Sequence, residues 1–350
     1  MTFEEGSPML KRIIISLLGS AVVSFAAHSE TSKKSLNIYT TRHYEADVTL
    51  AKDFEKKTGI AVNIVQIKEP AQLLARVLEE KNSTQADLVI TTDVGNLWRA
   101  AEAGIFQPLS SEAINKSVPA ALRDSNGLWT GLAMRVRLIA YNKEKVKPEQ
   151  VARLEDLAAP ALKGRVLVRS SNHVYNQSLA ATFLAASGRD ALMTWSKGVT
   201  ANLARKPQGG DTDQIKAIAA GEGDVAIVNS YYVARLLDSK NSADKELMKN
   251  ISIVFPNQKD RGAHVNVSGG GITRHAKNAA HARQFLEYLV SKEGQEIFAS
   301  ASKEYPVRSD VAAPAVLKAY GEPKLDLKGL SAIGNFTSEA VKVLDEAGWR

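Results

Sequence analysis

Short apolar runs alternate with amphipathic segments along most of the chain, and this alternation predicts strands and helices in turn. Residues 36–40, 62–67 and 88–90 are apolar runs of strand length, and apolar residues at helical spacing lie between them. Gly59 and Gly104 follow two of these helical segments, as glycine commonly does at a helix end. The order strand, helix, strand, helix, strand predicts a parallel sheet with helical crossovers.

The same alternation continues through the rest of the chain. Strands are predicted at residues 138–141, 165–169, 224–228, 251–255 and 264–267. Helices are predicted at residues 178–186, 190–203, 231–237 and 338–347, and a further one is capped by Asp211. Gly269, Gly270 and Gly271 are expected to bend the chain after the last of these strands. The pattern as a whole indicates an α/β protein.

The length of 350 residues suits two domains of ordinary size. A composition shift near residues 127–142 and a glycine-rich stretch near residues 262–271 are the candidate crossings between two lobes. We predict that residues 36–132 plus about 260–310 form the first lobe. Residues 133–259 plus the C-terminal helical region are predicted to form the second lobe.

The N-terminal residues have the pattern of a secretory signal. Lys11 and Arg12 precede an apolar run at residues 13–27, and the chain becomes polar after it. A basic start, a short apolar run and small residues before a polar segment describe a signal peptide, whereas a membrane span is longer. We therefore predict that residues 1–29 are a signal peptide, with Met9 as the true start. The mature protein is expected to be exported and not inserted in the membrane; an ordinary buried helix is the alternative.

The formal net charge is +7, but the basic residues are interspersed with nearly as many acidic ones. Without a basic block or a nucleic-acid-binding motif, this charge favours a solvated surface over nucleic-acid binding. The chain has no cysteine, which excludes disulfides, thiolate metal sites and thiol nucleophiles. Neither a zinc-protease motif nor a nucleophile elbow occurs, so no enzyme active site is predicted.

Tyrosines stand where three predicted strands end and helical patterns begin. Tyr44, Tyr175 and the pair Tyr231 and Tyr232 each have this position, and His43 stands beside the first of them. Ligands of open α/β sheets bind outside the carboxyl ends of the strands, so these phenols are expected to meet in one crevice. A lone tyrosine usually serves packing, but several phenols and an imidazole at one point suit a hard, highly charged cation. Such a cation displaces the phenolic proton, as metals generally do to their ligands.

Arginines are the candidates for charge around these phenols. Arg135 and Arg137 lie on one face of a predicted crossing strand at residues 134–141, and Arg235 lies one helical turn after the tyrosine pair. They are suited to neutralise phenolate charge or to hold an anion. The alternatives are interlobe salt bridges for the first two and a solvated helix face for the third. His173 is expected at the surface.

At these residues the chain resembles the periplasmic ferric-ion-binding proteins of bacterial ABC iron importers, especially their cyanobacterial-type branch. The matching stretches are residues 37–44, 135–137, 170–178, 229–232 and 304–307, in family order across nearly the whole predicted mature chain. The paired tyrosine is specific within the wider class of binding proteins. The Asn-x-x-Tyr-Asn-Gln-Ser segment that begins at Asn172 is more specific still.

The resemblance implies a type II periplasmic-binding-protein fold of two lobes, each a mostly parallel sheet flanked by helices, with the ligand in the interlobe cleft. It implies iron ligation by Tyr44, Tyr175, Tyr231 and Tyr232. The histidine that matches His43 ligates in some members and stands aside in others. Members also differ in whether carbonate completes the shell and in their preference for ferric or ferrous iron; we expect Fe3+ here.

The resemblance also implies the partners. A monomer that captures iron in the periplasm would deliver it to the permease and ATPase subunits of an ABC importer. A second hypothesis keeps the fold but binds a small organic cation or a phosphorylated vitamin, because aromatic side chains also box cationic ligands. A secreted enzyme ranks far behind, since no pair of nucleophile and base can be named.

Overall fold

The computed structural model describes residues 34–350, and the predicted signal segment at residues 1–29 lies outside them. The first part alternates strands and helices: β1 (Ser35–Thr40), α1 (Glu45–Thr58), β2 (Ala61–Gln66), α2 (Pro70–Glu80), β3 (Leu88–Thr92), α3 (Val94–Glu102) and α4 (Glu112–Ser117). β1 pairs in parallel with β2 on one side and with β3 on the other. The parallel arrangement predicted for these strands is therefore confirmed.

The rest of the chain continues the alternation of strands and helices. Its elements are β4 (Thr130–Asn142), β5 (Val166–Leu167), α5 (Val174–Ser187), α6 (Arg189–Ala201), α7 (Asp211–Ala219), β6 (Val225–Asn229), α8 (Ser230–Leu237), α9 (Ser242–Met248), β7 (Ile251–Val254), β8 (Ala263–Ile272), α10 (Ala279–Leu289), α11 (Lys292–Ile297), β9 (Leu325–Asp326) and α12 (Leu327–Glu346). No helix among the described residues has both the length and the apolar character needed to cross a membrane.

Two long strands, β4 and β8, join the two ends of the sheet. Within residues 34–350 the strand order is β2-β1-β3-β8-β4-β6-β5, with β7 beside β4 and β9 beside β8. β4 pairs with β8 along residues 130–136 and with β6 and β7 along residues 137–142. These pairings and that of β3 with β8 are antiparallel. The α/β class is confirmed, but the sheet is mixed rather than mostly parallel, because β8 runs back along β4.

The sequence of β6 is apolar without a break because both faces of this strand are buried. Successive side chains of a strand point to opposite faces of the sheet. Val225 and Ile227 pack into one apolar cluster with α5 and α6, while Ala226 and Val228 pack into another with α7 and α8. A separate cluster surrounds β1, β2 and β3 and includes α1 and α10. Burial on both faces therefore produces the continuous apolar run.

The three glycines at residues 269–271 do not bend the chain, contrary to the prediction. They lie inside β8, which continues to Ile272. A Cβ on Gly269 would lie 2.6 Å from the carbonyl oxygen of Thr130, and one on Gly271 would lie 2.6 Å from that of Leu128. Glycine is required here because neighbouring backbone approaches the strand closely, and not because the chain turns.

The last helix is longer than predicted. α12 begins at Leu327, whereas the periodic pattern indicated only residues 338–347. Gly334 interrupts that pattern, yet in the structure it lies against the indole ring of Trp98, where a Cβ has no room. The first half of α12 contributes Leu330 and Ile333 to the cluster around β1–β3, and its second half packs with α5 and α6.

Candidate metal centre

Three helix N-termini carry the four tyrosines singled out in the sequence. Tyr44 is the N-cap of α1, Tyr175 is the second residue of α5, and Tyr231 and Tyr232 are the second and third residues of α8. The helix N-terminus carries partial positive charge, which favours a phenolate over a neutral phenol. Ser230 is the first residue of α8, and the N-cap position belongs to Asn229.

The phenol oxygens meet at Tyr231. Tyr44 Oη donates a hydrogen bond to Tyr231 Oη over 3.4 Å, and the Oη atoms of Tyr175 and Tyr231 lie 3.2 Å apart. The ring of Tyr232 lies against that of Tyr231, with 4.2 Å between the centroids. Oxygen atoms from α1, α5 and α8 are thus gathered at one point, which is the arrangement that a metal ion with several oxygen ligands needs.

Burial keeps these phenols protonated in the absence of a metal. Tyr231 is fully buried and Tyr175 is 9% exposed. Burial raises the pKa of Tyr175, Tyr231 and Tyr232, and the neighbouring phenols raise the pKa of the first two further. The guanidinium group of Arg135 opposes this rise at Tyr175 and Tyr231. Binding of a metal therefore has to displace phenolic protons.

Guanidinium groups surround the phenol rings. The Cζ atom of Arg235 lies 4.5 Å from the ring centroid of Tyr44 and 4.9 Å from that of Tyr231. Arg135 Cζ lies 5.7 Å from the Tyr231 centroid, and Arg42 Cζ lies 4.9 Å from the Tyr44 centroid. These positive charges are placed to stabilise phenolates. We did not single out Arg42 in the sequence; its position two residues before Tyr44 was the available signal.

Two of these arginines share one buried carboxylate. Glu304 pairs with Arg135 at 2.7 Å and with Arg42 at 3.0 Å, and the Oγ atom of Ser268 accepts hydrogen bonds from both arginines. Burial alone would raise the pKa of Glu304, but the two guanidinium groups outweigh it and hold the pKa at about 2. Glu304 was part of a matching stretch, but sequence reasoning gave it no role.

Arg137 is held behind the tyrosines and does not stack on them. Its Nη1 atom lies 3.1 Å from Asp211, and its Nη2 atom donates to Asn176 Oδ1 over 2.9 Å. Asp211 also pairs with Arg169 at 3.1 Å and accepts from the backbone nitrogen of Asn229. The prediction that Asp211 caps α7 is wrong: Gly210 is the N-cap, and Asp211 is a fully buried counter-ion of two arginines.

The two histidines near the site have different surroundings. His43 is exposed, and its ring centroid lies 4.9 Å from that of Tyr44. His173, which we expected at the surface, is half-buried and caps α5: its Nδ1 atom accepts from the backbone nitrogen of Tyr175 over 3.2 Å. Burial and the charges of Arg169 and Arg137 lower the pKa of His173 to about 3. Because Nδ1 accepts, the proton of this neutral ring is on Nε2.

A cleft of about 1180 Å³ opens beside the phenols. Residues of β2 and α2, including Gln66, Leu74 and Leu78, line this cleft, and so do residues from the start of α5. The polar and aromatic side chains that line it include His43, Tyr44, Arg169, Asn172, His173, Tyr175, Gln177 and Tyr232. Within residues 34–350 no cluster of three or more histidine, aspartate or glutamate side chains is placed to hold a metal ion.

Comparison with known proteins decides the family. Residues 83–326 match the family described as bacterial extracellular solute-binding protein. The chain belongs to this family. It is also 42% identical to iron uptake protein A1 of a Synechocystis strain over 337 residues, which are 96% of this chain and 93% of that protein. The resemblance inferred from the tyrosine and arginine stretches is therefore confirmed.

Solved structures agree with this family assignment. The iron-binding protein IdiA (FutA) of Trichodesmium, in complex with iron and citrate, superposes with a TM-score of 0.86 at 44% identity, covering 90% of this chain and all of that one. The ferric binding protein of Campylobacter jejuni superposes with a TM-score of 0.85 at 40% identity, again over 90% of this chain and all of that chain. These similarities confirm the type II solute-binding fold.

Proposed function

We propose that this protein captures ferric iron in the periplasm and delivers it to an ABC importer. The observation that carries this function is the meeting of phenol oxygens from three helices, with Tyr44 and Tyr175 within 3.4 and 3.2 Å of Tyr231. Relatives named for iron uptake and ferric binding cover nearly the whole chain, which supports iron as the cargo. An organic cation or a phosphorylated vitamin as cargo is not favoured by these relatives.

The ligands in this proposal are the four phenolates of Tyr44, Tyr175, Tyr231 and Tyr232, with His43 as the fifth candidate. Anionic oxygen ligands suit a small trivalent cation, and their proton loss is aided by the surrounding guanidinium groups. His43 supports this role by its position: it lines the cleft beside Tyr44 and is open to the solvent from which iron arrives. Arg135 and Arg235 stabilise the phenolates, and Arg137 acts at greater distance through Asn176.

An anion that completes the iron shell is a further part of the proposal. The cleft of about 1180 Å³ is much larger than an iron ion, and the Trichodesmium relative holds citrate together with iron. Arg169 and the Nε2–H group of His173 line the cleft beside Tyr175 and are donors for an oxyanion such as carbonate or citrate. Iron affinity measured with and without each anion tests this part.

Closure of two lobes around the metal explains how four distant residues form one site. We propose a first lobe of residues 36–132 plus about 260–310, and a second of residues 133–259 plus the C-terminal helical region. Separate apolar clusters on the two sides of the β4–β8 pairing support this division, although α12 contributes to the clusters on both sides. Tyr44 then comes from the first lobe and the other tyrosines from the second, so bound iron favours the closed form.

The partners are the permease and ATPase subunits of an importer, which would recognise the closed form of a monomer. The relatives are binding proteins, and we infer that this chain likewise binds its cargo without catalysing a reaction. Neither nucleic acid nor stable membrane insertion of the mature protein is part of this function.

A visible spectrum tests the proposal. Purified mature protein is mixed with a ferric chelate, and the spectrum is recorded before and after addition of a reductant. A phenolate-to-iron absorption band that bleaches on reduction is expected. A colourless protein that binds no ferric iron would contradict the proposal and favour an organic ligand. Tyr141→Phe serves as control, because Tyr141 is buried in β4 and its phenol lies in an apolar cluster.

A further inference from the structure

Asp93 has an unusual backbone conformation at the end of β3. Its φ angle is +78°, a left-handed value that side chains other than glycine adopt only when the surroundings enforce it. Its backbone nitrogen donates to Val267 O on β8 over 2.9 Å, and its carboxylate accepts from the backbone nitrogen of Gly95 over 2.8 Å. The residue therefore lies where β3, β8 and the first turn of α3 meet.

The carboxylate of Asp93 is fully buried, and among the described residues no cation forms an ion pair with it. Ser178 Oγ donates to both of its oxygens, over 2.7 and 2.8 Å, and Asn266 Nδ2 donates over 2.7 Å. Burial raises the pKa of Asp93 to about 6, although the hydrogen bonds from Ser178 and Gly95 and the more distant charges of Arg135 and Arg99 oppose the rise. A strained backbone and a buried carboxylate that forms no direct ion pair within residues 34–350 are both costly, so a function for them is expected.

The hydroxyl group that Asp93 holds belongs to the helix of a proposed iron ligand. Ser178 lies in α5, one helical turn after Tyr175, so the two side chains are on the same side of the helix. Asp93 belongs to the part of the sheet that carries Tyr44 through β1, and α5 packs on the other part. The Asp93–Ser178 contact is thus a direct link between the elements that bear Tyr44 and Tyr175.

We propose that Asp93 is a positioning residue for iron capture, which acts through Ser178 to set where α5 holds Tyr175 relative to Tyr44. This inference rests on the proposed function. Asp93 touches no proposed ligand, and its hydrogen bonds to Ser178 join it to the helix that bears Tyr175. Apart from this contact, α5 is held by apolar packing, because residues of α6 and α12 belong to the same apolar cluster. Removal of the Ser178 hydroxyl is therefore expected to move Tyr175 without unfolding the protein.

A double-mutant cycle tests the link. Ser178→Ala and Tyr175→Phe are made singly and together, and iron affinity is measured by competition with a chelator. Ser178→Ala alone is expected to weaken iron binding about tenfold, the lower end of the effect of losing a residue that orients a metal ligand. In the Tyr175→Phe background the same substitution is expected to have little further effect, because the ligand that it positions is already gone.

Ser196→Ala is the matched control, since Ser196 is also a fully buried helical serine, and its hydroxyl has no partner within residues 34–350. It should leave iron affinity and the absorbance per iron unchanged, whereas Ser178→Ala should lower the absorbance per iron towards that of Tyr175→Phe. Asp93→Asn, which keeps the acceptor for Gly95, is expected to act in the same direction as Ser178→Ala.

Two outcomes would overturn the inference. One is a Ser178→Ala variant that matches Ser196→Ala in affinity and absorbance. The other is a Ser178→Ala substitution that lowers iron affinity equally in the native protein and in the Tyr175→Phe variant. An equal loss would mean that the substitution acts on the structure in general and not on the position of Tyr175. Failure of the proposed function is a different result: the unsubstituted protein itself would bind no ferric iron and show no phenolate band.

Discussion

The phenol oxygens of Tyr44 and Tyr231 lie 3.4 Å apart, although the two residues are 187 positions apart in the sequence. Neither helix N-terminus alone could chelate a metal ion with more than its own one or two phenols. The distance shows that the fold, and not a local motif, assembles the oxygen cluster. Removal of single phenol oxygens from this cluster measures what each contributes to iron binding.

Tyr231→Phe and Tyr232→Phe should each lower iron affinity by at least about a hundredfold, because each removes a ligand oxygen. Loss of a residue that only hydrogen-bonds to a metal ligand already lowers metal affinity about ten- to a hundredfold. The ring packing is kept, so the melting temperature of the iron-free protein should change little. Tyr141→Phe is the control for loss of a buried phenol away from the site. Unchanged affinity in both site variants would refute the assignment.

Iron binding should release protons, and iron affinity should rise with pH. The pKa values of Tyr175, Tyr231 and Tyr232 are raised by burial, so these phenols are protonated at neutral pH and the metal competes with their protons. Addition of ferric iron to weakly buffered protein with a pH indicator measures the release. Tyr231→Phe should release one proton fewer per iron bound, and an affinity that does not change with pH would contradict this prediction.

Glu304 should make the protein sensitive to acid. The pKa of Glu304 is held at about 2 in the folded protein, below its ordinary value of 4.5. The unfolded chain therefore takes up the proton first, and the stabilisation is present above pH 4.5 and lost as the pH falls towards 2. The free energy of unfolding is expected to fall by about 3 kcal/mol over this pH range. Urea unfolding at a series of pH values measures the decrease.

Glu304→Gln should remove this part of the acid dependence. It should also lower the free energy of unfolding at neutral pH by about 3 to 5 kcal/mol, because the buried Arg42 and Arg135 lose their shared counter-ion. Asp310→Asn is the control, since Asp310 pairs with Arg308 at a solvent-exposed position and the same change of charge should have little effect. Equal losses in the two variants would show that burial of the pair is unimportant.

His43→Gln should weaken iron binding and flatten its dependence on acid if His43 is a ligand. Only a neutral imidazole binds a metal, so an imidazole ligand makes iron binding sensitive to acid, and the glutamine variant removes that source of sensitivity. Iron retention is measured for both proteins from neutral to mildly acidic pH. Coincident profiles would mean that Tyr44 binds without its neighbour.

Much of the architecture follows from local patterns in the sequence. Short apolar runs predicted β1, β2 and β3 within one or two residues, because a strand buried on a sheet needs consecutive apolar side chains. The tyrosines were identified because they follow strands and precede helices, which are positions that the order of elements reveals. Arg135 and Arg137 were identified because they share one face of a predicted strand, and Arg235 because it lies one helical turn after the tyrosine pair. The family stretches pointed to iron.

Tertiary structure alone decided which charged groups serve these tyrosines. Arg42 and Glu304 are 262 positions apart, and Asp211 lies 74 positions from Arg137, so no local spacing signals either pair. The glycines of β8 looked like a bend because their need for close backbone contact exists only once Thr130 and Leu128 lie beside them. The link between Asp93 and Ser178, 85 positions apart, is likewise absent from any local pattern. Local periodicity specifies elements and their order, whereas counter-ions and close approaches depend on which elements become neighbours in space.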